Sequence, residues 1–291
     1  MKQAEQNSSL GKPVVYKTKY SPELLFALPR KENRTLYAIK ETSLPFIGWD
    51  AWHAYEASFL TEKGLPVTGI LKLAIPCNSP FLVESKSLKL YLNSFNMEEM
   101  GASSNEAIKA FVSTIEKDLS KLLKTTVKAH FHQQSGTDLY GFENYPLLEE
   151  LPEAENISFS RFQESPDLLE VTEAITKTTW GSHLLRSNCK VTHQPDWGSV
   201  YIHLKGNKGL KPESLLQYLV SFRTENHFHE EVCEMIYKRL WDLLEPDELS
   251  VTCIYTRRGG IDICPQRASH DHLLHETLVS ADTLNQKLLR Q

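Results

Sequence analysis

The sequence predicts an α+β fold built on antiparallel sheets. Two long amphipathic helical patterns stand among strand-like segments, without the β–α–β alternation of a parallel sheet. Similar patterns occur in the two halves of the chain, which indicates two related units. With 291 residues, the chain is long enough for one large core or two ordinary ones.

The two helices are predicted from apolar periodicity. The first begins at Ser103, where Glu106 three positions later completes a capping-box pattern. Apolar residues then recur every three or four positions over 108–122. The second helix is expected from about His229 to Leu244, with the same spacing of apolar residues.

A strand-like segment follows each helix. Polar and apolar residues alternate over 127–132 and again over 251–256, as they do in half-buried strands. The second segment reaches Gly259 and Gly260 and continues into 261–263, which predicts a β-hairpin.

A short sequence, YLxSF, precedes both helices, at 91–95 and at 218–222. Because the copies are 127 residues apart and the elements follow in the same order, we expect a tandem duplication of a unit of about 130 residues. Residues 146–167 carry three prolines and several glutamates, which is typical of an exposed linker. The predicted units are residues 1–150 and 151–291.

Composition argues against several classes of protein. Asp and Glu outnumber Lys and Arg by 37 to 32, so a dedicated nucleic-acid binder is not expected. No stretch reaches the roughly 18 apolar residues of a membrane helix, and no apolar segment follows residues 1–5 as in a secretory signal. Five scattered cysteines without a CxxC pair favour reduced thiols and a cytoplasmic location.

Common cofactor and metal motifs are missing from the sequence. It has neither the GxGxxG nor the Walker-type glycine-rich phosphate loop, and it has no HExxH. The HFH sequences at 130–132 and 227–229 each offer two histidines, but neither has a third ligand nearby in sequence. No metal site is therefore expected.

Residues 187–198, SNCKVTHQPDWG, bring a thiol, a lysine, a histidine and a carboxylate into one short polar run. Cys189 needs a positive neighbourhood to become a thiolate nucleophile, and Lys190 and His193 could supply it. A buried structural cysteine beside a polar turn is the alternative, and the residue types alone favour that alternative.

Asp196 is the candidate proton donor of the same run. Pro195 and Gly198 frame it, so a loop or turn is expected there. Apolar neighbours such as Trp197 would raise its pKa and allow it to act as an acid.

A second polar segment, ESKSLKLY at 84–91, follows an apolar run. A carboxylate at Glu84 could accept two N–H bonds from a guanine-like edge. A solvated helix start is the alternative, and without further context it is favoured.

These segments together resemble the QueF family of NADPH-dependent 7-cyano-7-deazaguanine reductases. The likeness extends from roughly residue 40 to the C-terminus, and it includes 84–91, 187–198, 221–223, 228–230 and 255–262. As in the long, two-module form of the family, the ESKS signature lies in the first half and the Cys/Asp pair in the second. The resemblance implies tandem tunnelling-fold (T-fold) modules, each an antiparallel sheet with two helices packed on one face, and a homodimer.

The resemblance also implies a reaction. The nitrile 7-cyano-7-deazaguanine would be reduced with two NADPH to 7-aminomethyl-7-deazaguanine, on the route to the queuosine base of tRNA. Cys189 would add to the nitrile carbon and form a covalent thioimide, and Asp196 would act as general acid and base. Covalent addition divides one difficult reduction into easier steps.

Binding roles follow from the same resemblance. The deazaguanine would contact Val83, Glu84, Ser85, His229 and Glu230. NADPH would contact Ser85, Lys86, Arg258 and Gly259. Cationic side chains suit the 2′-phosphate of NADPH, so no Rossmann domain is needed. Metal, nucleic acid and membrane are not expected as partners.

Two alternatives remain open. A zinc hydrolase similar to GTP cyclohydrolase I would need His227, His229 and Cys233 as ligands, although Cys233 also continues the buried stripe of the second helix. A non-catalytic deazapurine carrier or a tRNA-binding accessory would not need Cys189 and Asp196. The first 40 residues match no motif.

Overall fold

The structure is a computed structural model that describes residues 16–288 and 290–291. It is a mixed α+β fold with antiparallel strands, which confirms the predicted class. The strands are β1 (Ala27–Pro29), β2 (Ile47–Leu60), β3 (Pro66–Pro76), β4 (Phe81–Val83), β5 (Lys128–His132), β6 (Val171–Thr172), β7 (Thr176–Asn188), β8 (Pro195–Gly206), β9 (Gly209–Leu210), β10 (Glu248–Tyr255) and β11 (Ile261–Ala268). The helices are α1 (Lys31–Leu36), α2 (Ser85–Asn93), α3 (Ser104–Leu123), α4 (Pro212–Ser221), α5 (His229–Leu244) and α6 (Glu276–Val279).

The strands of the two halves join in one antiparallel sheet of seven strands. Its order is β5-β3-β2-β11-β10-β8-β7, so the halves meet where β2 pairs with β11. That pairing runs from Ile47 opposite Ala268 to Ala54 opposite Ile261. The predicted strand at 127–132 and the predicted hairpin are confirmed as β5 and as β10 with β11.

Helices α2 to α5 pack on one face of this sheet. Trp52 and Ile263, opposite each other on β2 and β11, lie in the core beneath α2 and α3. Their chain neighbours Ala51 and Cys264 belong to a separate cluster on the other face, because side chains alternate along a strand. No helix in the described part of the chain is both long and apolar enough to cross a membrane.

Both predicted helices are confirmed. The Ser103 hydroxyl accepts the Glu106 N–H at 3.3 Å and caps α3, as the capping pattern required. α5 has the expected bounds. Each helix ends at a residue in the left-handed conformation, Lys124 with φ 53° and Glu245 with φ 49°.

The helices α2 and α4 were not evident from periodicity, because each is only nine or ten residues long. Each carries YLxSF at its C-terminal end. In both, the serine of the motif bonds back to the tyrosine: Ser94 donates to the Tyr91 carbonyl and Ser221 to the Tyr218 carbonyl, both at 2.6 Å. The two copies of the motif therefore have the same structural role.

The internal repeat reaches further than the sequence pattern indicated. Ser94 accepts the Ser21 N–H and Ser221 accepts the Ser165 N–H, both at 3.2 Å. Ser21 and Ser165 each open an SPxLL sequence that forms a single 3-10 turn. Part of the N-terminal region without a motif is thus the counterpart of a segment near residue 165.

The prediction of an exposed linker at 146–167 is wrong for its apolar residues. Leu148 is buried in the core beneath α4 and α5, and the Leu147 backbone forms a bridge with Gly181. The composition concealed this packing, because Glu150, Glu153 and Glu155 are exposed while Leu148 beside them is buried.

Candidate functional site

A cavity of about 230 Å³ lies where the two halves meet, at the starts of α2 and α5. Eight of the ten residues singled out from the sequence line it. They are Val83, Ser85, Cys189, Asp196, His229, Glu230, Arg258 and Gly259. Glu84 and Lys86 do not line it. The fold thus brings together residues that are up to 176 positions apart, from Val83 to Gly259.

Cys189 is held in a tight turn between β7 and β8. Its N–H donates to the Gln194 carbonyl at 2.8 Å, and its carbonyl accepts the His193 N–H at 2.9 Å. His193 has φ 56°, which closes the turn. Cys189 is the only one of the five cysteines that is not buried, so the expectation of a structural cysteine does not hold.

The positive neighbours predicted for Cys189 are engaged elsewhere, so that prediction is wrong. Lys190 Nζ bonds to Glu231 Oε1 at 2.9 Å, and His193 Nδ1 lies 2.7 Å from Asn226 Oδ1. The cations that line the cavity with Cys189 are Lys89 and Arg258.

Asp196 lies in strand β8 and not in a loop, which corrects the prediction. Arg258 donates to its Oδ1, and His229 Nε2 lies 3.4 Å from its Oδ2. Burial by itself would raise the pKa of Asp196, but His229 and the Arg258 guanidinium outweigh burial and lower the pKa. Asp196 is therefore ionised at neutral pH.

The expected influence of Trp197 on Asp196 is also wrong. Adjacent residues of a strand point to opposite faces, so the indole points away from the Asp196 carboxyl. It packs against the guanidinium groups of Arg186 and Arg223, whose carbons lie 5.7 and 5.1 Å from the ring.

The start of α5 supplies two further side chains to the cavity. The His229 ring stacks on Tyr255 with ring centroids 3.9 Å apart, which fixes the imidazole beside Asp196. Glu230 is 3% exposed, and no other described residue donates a hydrogen bond to its carboxyl. Burial and the negative charge of Asp50 raise the pKa of Glu230 to about 8.

Glu84 has a different environment at the start of α2. Its Oε1 accepts the Lys86 N–H at 2.8 Å and its Oε2 accepts the Ser87 N–H at 2.9 Å. The side chain is a buried helix cap, so the alternative of a solvated helix start is only half right. The cap holds Val83 and Ser85 at the cavity.

Lys89 was missed in the sequence. It follows Ser85 by four residues, and this spacing places both on one face of α2. Burial and the nearby Arg258 lower its pKa, while Glu84 and Cys189 oppose that shift. The helical spacing from Ser85 was the signal that could have found it.

The turn at Gly259 favours glycine. Its φ is +54°, and an added Cβ would lie 2.9 Å from Lys89 Nζ. The turn places Arg258 so that it donates to both Asp196 and Gln194 across the cavity.

The ligand set of the zinc-hydrolase alternative is not assembled. Cys233 lies in the core, with its Sγ 3.4 Å from the Val251 carbonyl, while His229 faces Asp196. Within 16–288 and 290–291, one group of three possible metal ligands occurs, His53, Asp262 and Cys264, on the other face of the sheet. There Tyr55 and His53 already bond to Asp262.

Comparison with known proteins identifies the class of protein that has this fold and cavity. A family model described as nitrile reductase, 7-cyano-7-deazaguanine-reductase N-term, matches residues 16–131. A second model, described as QueF-like protein, matches residues 195–273. The chain is thus of the nitrile-reductase class, with one matched part in each half.

Relatives extend this match over nearly the whole chain. The NADPH-dependent 7-cyano-7-deazaguanine reductases of Dechloromonas aromatica, Colwellia psychrerythraea and Delftia acidovorans are 42%, 39% and 40% identical to it. The alignments cover 91%, 90% and 95% of this chain and 91%, 91% and 98% of the relatives. The chain belongs to the QueF family of 7-cyano-7-deazaguanine reductases, and the predicted resemblance is confirmed.

A solved structure, the archaeosine synthase QueF-Like in the apo form, superposes on 33% of this chain. Its TM-score is 0.29 at 15% identity, and this overlap is too partial to bear on the fold.

Proposed function

We propose that this protein reduces the nitrile of 7-cyano-7-deazaguanine to the primary amine of 7-aminomethyl-7-deazaguanine, with two NADPH. The observation that carries the proposal is the joint placement of Cys189, Asp196 and Glu230 on one cavity. The names of the relatives supply the substrate and the cofactor. The amine would then serve as a precursor of the queuosine base of tRNA.

Addition to the nitrile begins with the thiol of Cys189. Asp196 is ionised before substrate binds, so it accepts the thiol proton as the sulfur attacks the nitrile carbon. An S–C bond forms, one C≡N π bond breaks, and the proton passes from Asp196 to the nitrogen. The product of this step is a neutral thioimide on Cys189, and Asp196 is again a carboxylate.

Base recognition is assigned to the starts of both helices. Glu230 accepts hydrogen bonds from the ring N–H and amino group of the deazaguanine, because a carboxylate has two acceptor oxygens. His229 lies next to it, and Val83, Glu84 and Ser85 form the opposite side, with Glu84 acting through the backbone that it caps.

The residues around the Gly259 turn fit a phosphate-bearing cofactor. Gly259 leaves open the space beside Lys89, and Arg258 adds a second positive charge. Ser85, Lys86, Arg258 and Gly259 would hold NADPH, which supplies hydride for both reductions. Lys86 and Arg258 would counter its phosphate charge.

The assembly and location are also proposed. We propose that each half is a T-fold module, because two strands, two helices and a further strand follow in the same order in both halves. A homodimer would use the edge strand β5, which has no second partner strand among the described residues. All five cysteines are free, which supports a reducing, cytoplasmic location.

The test is an activity assay of the purified protein with 7-cyano-7-deazaguanine and NADPH. The reaction is monitored through the loss of reduced-nicotinamide absorbance. We expect two NADPH consumed per nitrile, and no consumption by Cys189→Ala. No consumption by well-folded wild-type protein would contradict the proposed reaction and favour a binding protein.

A further inference from the structure

A buried charge network lies directly behind Glu230. It consists of Arg30, Arg34, Asp50, Glu234 and Arg267, and their side chains are at most 3% exposed. Neither the proposed reaction nor the sequence motifs account for five buried charges. Such a network is costly to bury unless every charge is paired.

The charges in the network are closely paired. Arg267 bonds to Asp50 at 2.8 Å and to Glu234 at 2.9 Å. Arg34 bonds to Glu234 through two nitrogens, at 2.7 and 2.9 Å. Arg30 bonds to Asp50, and its second nitrogen lies 3.6 Å from Glu234.

The network forms the layer beneath the cavity. On two strands, the residue that lines the cavity and the network residue lie on one face: Trp52 and Asp50 on β2, and Ile263 and Arg267 on β11. Arg30 directly follows the short strand β1, whose Leu28 lines the cavity. On α5, Glu230 lies one turn before Glu234. The network therefore lies near Glu230, whose ionisation responds to the charges of Asp50, Arg30 and Arg267.

The charge count leaves room for one more carboxylate. Three arginines face two carboxylates, Asp50 and Glu234, so ionised Glu230 would bring the group to neutrality. Burial and repulsion by Asp50 oppose that ionisation, and Arg30 and Arg267 favour it. The other charged or titratable groups at the cavity are Lys89, Cys189, His227, His229 and the pair Asp196–Arg258.

We propose that burial holds Glu230 protonated before a ligand binds, and that the network supports its ionisation when a base with an amidine-like N–H edge binds. Binding then releases one proton: the Glu230 O–H bond breaks, the proton leaves to solvent, and the carboxylate accepts the N–H donors of the base. Arg30, Arg34, Asp50, Glu234 and Arg267 are positioning residues, since none of them touches the base. This inference rests on the proposed function.

Calorimetry tests the proton release directly. Cys189→Ala is titrated with 7-cyano-7-deazaguanine at pH 7, once in phosphate and once in Tris. The difference between the two observed heats of binding gives the number of protons released per base bound. We expect close to one proton per base at pH 7 and none at pH 9.5. Binding without release at pH 7 would overturn the inference and leave the proposed function intact. No binding at any pH would overturn both.

A matched pair of variants tests the network. Arg30→Gln removes one positive charge, so the pH at which base affinity is half-maximal should move upward by about one unit. Arg30→Lys keeps the charge and should restore the wild-type midpoint. A merely structural role would weaken binding equally at all pH values, and that result would also contradict the inference. Thermal unfolding checks that both variants are folded. If they are not, the calorimetric measurement of proton release by Cys189→Ala, in which the network is intact, still tests the inference.

Discussion

The cavity has two walls that differ in how their charged side chains are used. The first wall is residues 83–89 at the start of α2, and the second wall is the Cys189 turn with the start of α5. In the first wall, Glu84 is bonded to two backbone N–H groups. In the second wall, Glu230 receives no hydrogen bond from another described side chain, and its pKa is raised to about 8.

This difference explains how two carboxyl groups at similar helix starts acquire different roles. A carboxylate that accepts backbone N–H bonds stabilises the helix start and is not available to a ligand. A buried carboxyl without a partner is costly, and that cost is offset when a ligand supplies donors. We therefore assign the proposed chemistry to the second wall and the shape of the cavity to the first wall.

The largest effect is expected from the second wall, in Cys189→Ala. Turnover should fall by at least about 10³-fold, because no other thiol lines the cavity to carry the covalent step. Base binding should persist through Glu230, as measured by calorimetry. Cys253→Ala, which removes a buried thiol outside the cavity, is the control and should retain turnover. Loss of both turnover and binding in Cys189→Ala would break the assignment.

The next largest effect is expected for Asp196→Asn. An amide cannot accept the thiol proton, so adduct formation should slow by about 10²- to 10⁴-fold while the base still binds. Stopped-flow absorbance of the adduct measures this rate. An unchanged rate would remove Asp196 from the proton path.

Glu230→Gln should weaken base binding by about 10- to 100-fold, since one charge-assisted acceptor is lost. It should also change stability. Because the pKa of Glu230 rises from 4.5 to about 8 on folding, the folded state binds the extra proton between these values, and wild-type stability declines as pH rises through that range. Urea unfolding at pH 5 and pH 8 should show a smaller decline in the variant. A larger decline would contradict the raised pKa.

The smallest effect is expected from the first wall. Glu84→Ala should lower the free energy of unfolding by about 1–2 kcal/mol through loss of the cap, with a smaller loss of base affinity than Glu230→Gln. Glu213→Ala in the first turn of α4, where no side chain caps the helix, is the matched control and should cost less. If Glu84→Ala weakened base binding more than Glu230→Gln, the base would be held mainly by the first wall, which would contradict the assignment of the two walls.

Local patterns predicted much of the fold. The Ser103 cap, the bounds of α5 and the hairpin at Gly259 each depend on neighbouring residues, so the sequence contains the whole signal. The short helices α2 and α4 lack a long periodic run, and only the family resemblance implied a pair of helices in each half.

The environment of the site could not be predicted in the same way. The partners of Asp196 and of Glu234, in the network behind Glu230, come from distant segments: Arg258 is 62 positions from Asp196, and Arg34 is 200 positions from Glu234. No local pattern encodes such pairs, so the lowered pKa of Asp196 and the network behind Glu230 became visible only in the folded chain.

The most direct test of the central claim is mass spectrometry of the intact protein after mixing with 7-cyano-7-deazaguanine in the absence of NADPH. The covalent mechanism predicts a mass increase equal to one base per chain, located by peptide mapping on Cys189. It also predicts no increase in Cys189→Ala. An adduct on another residue, or none on wild-type protein that binds the base, would contradict the account.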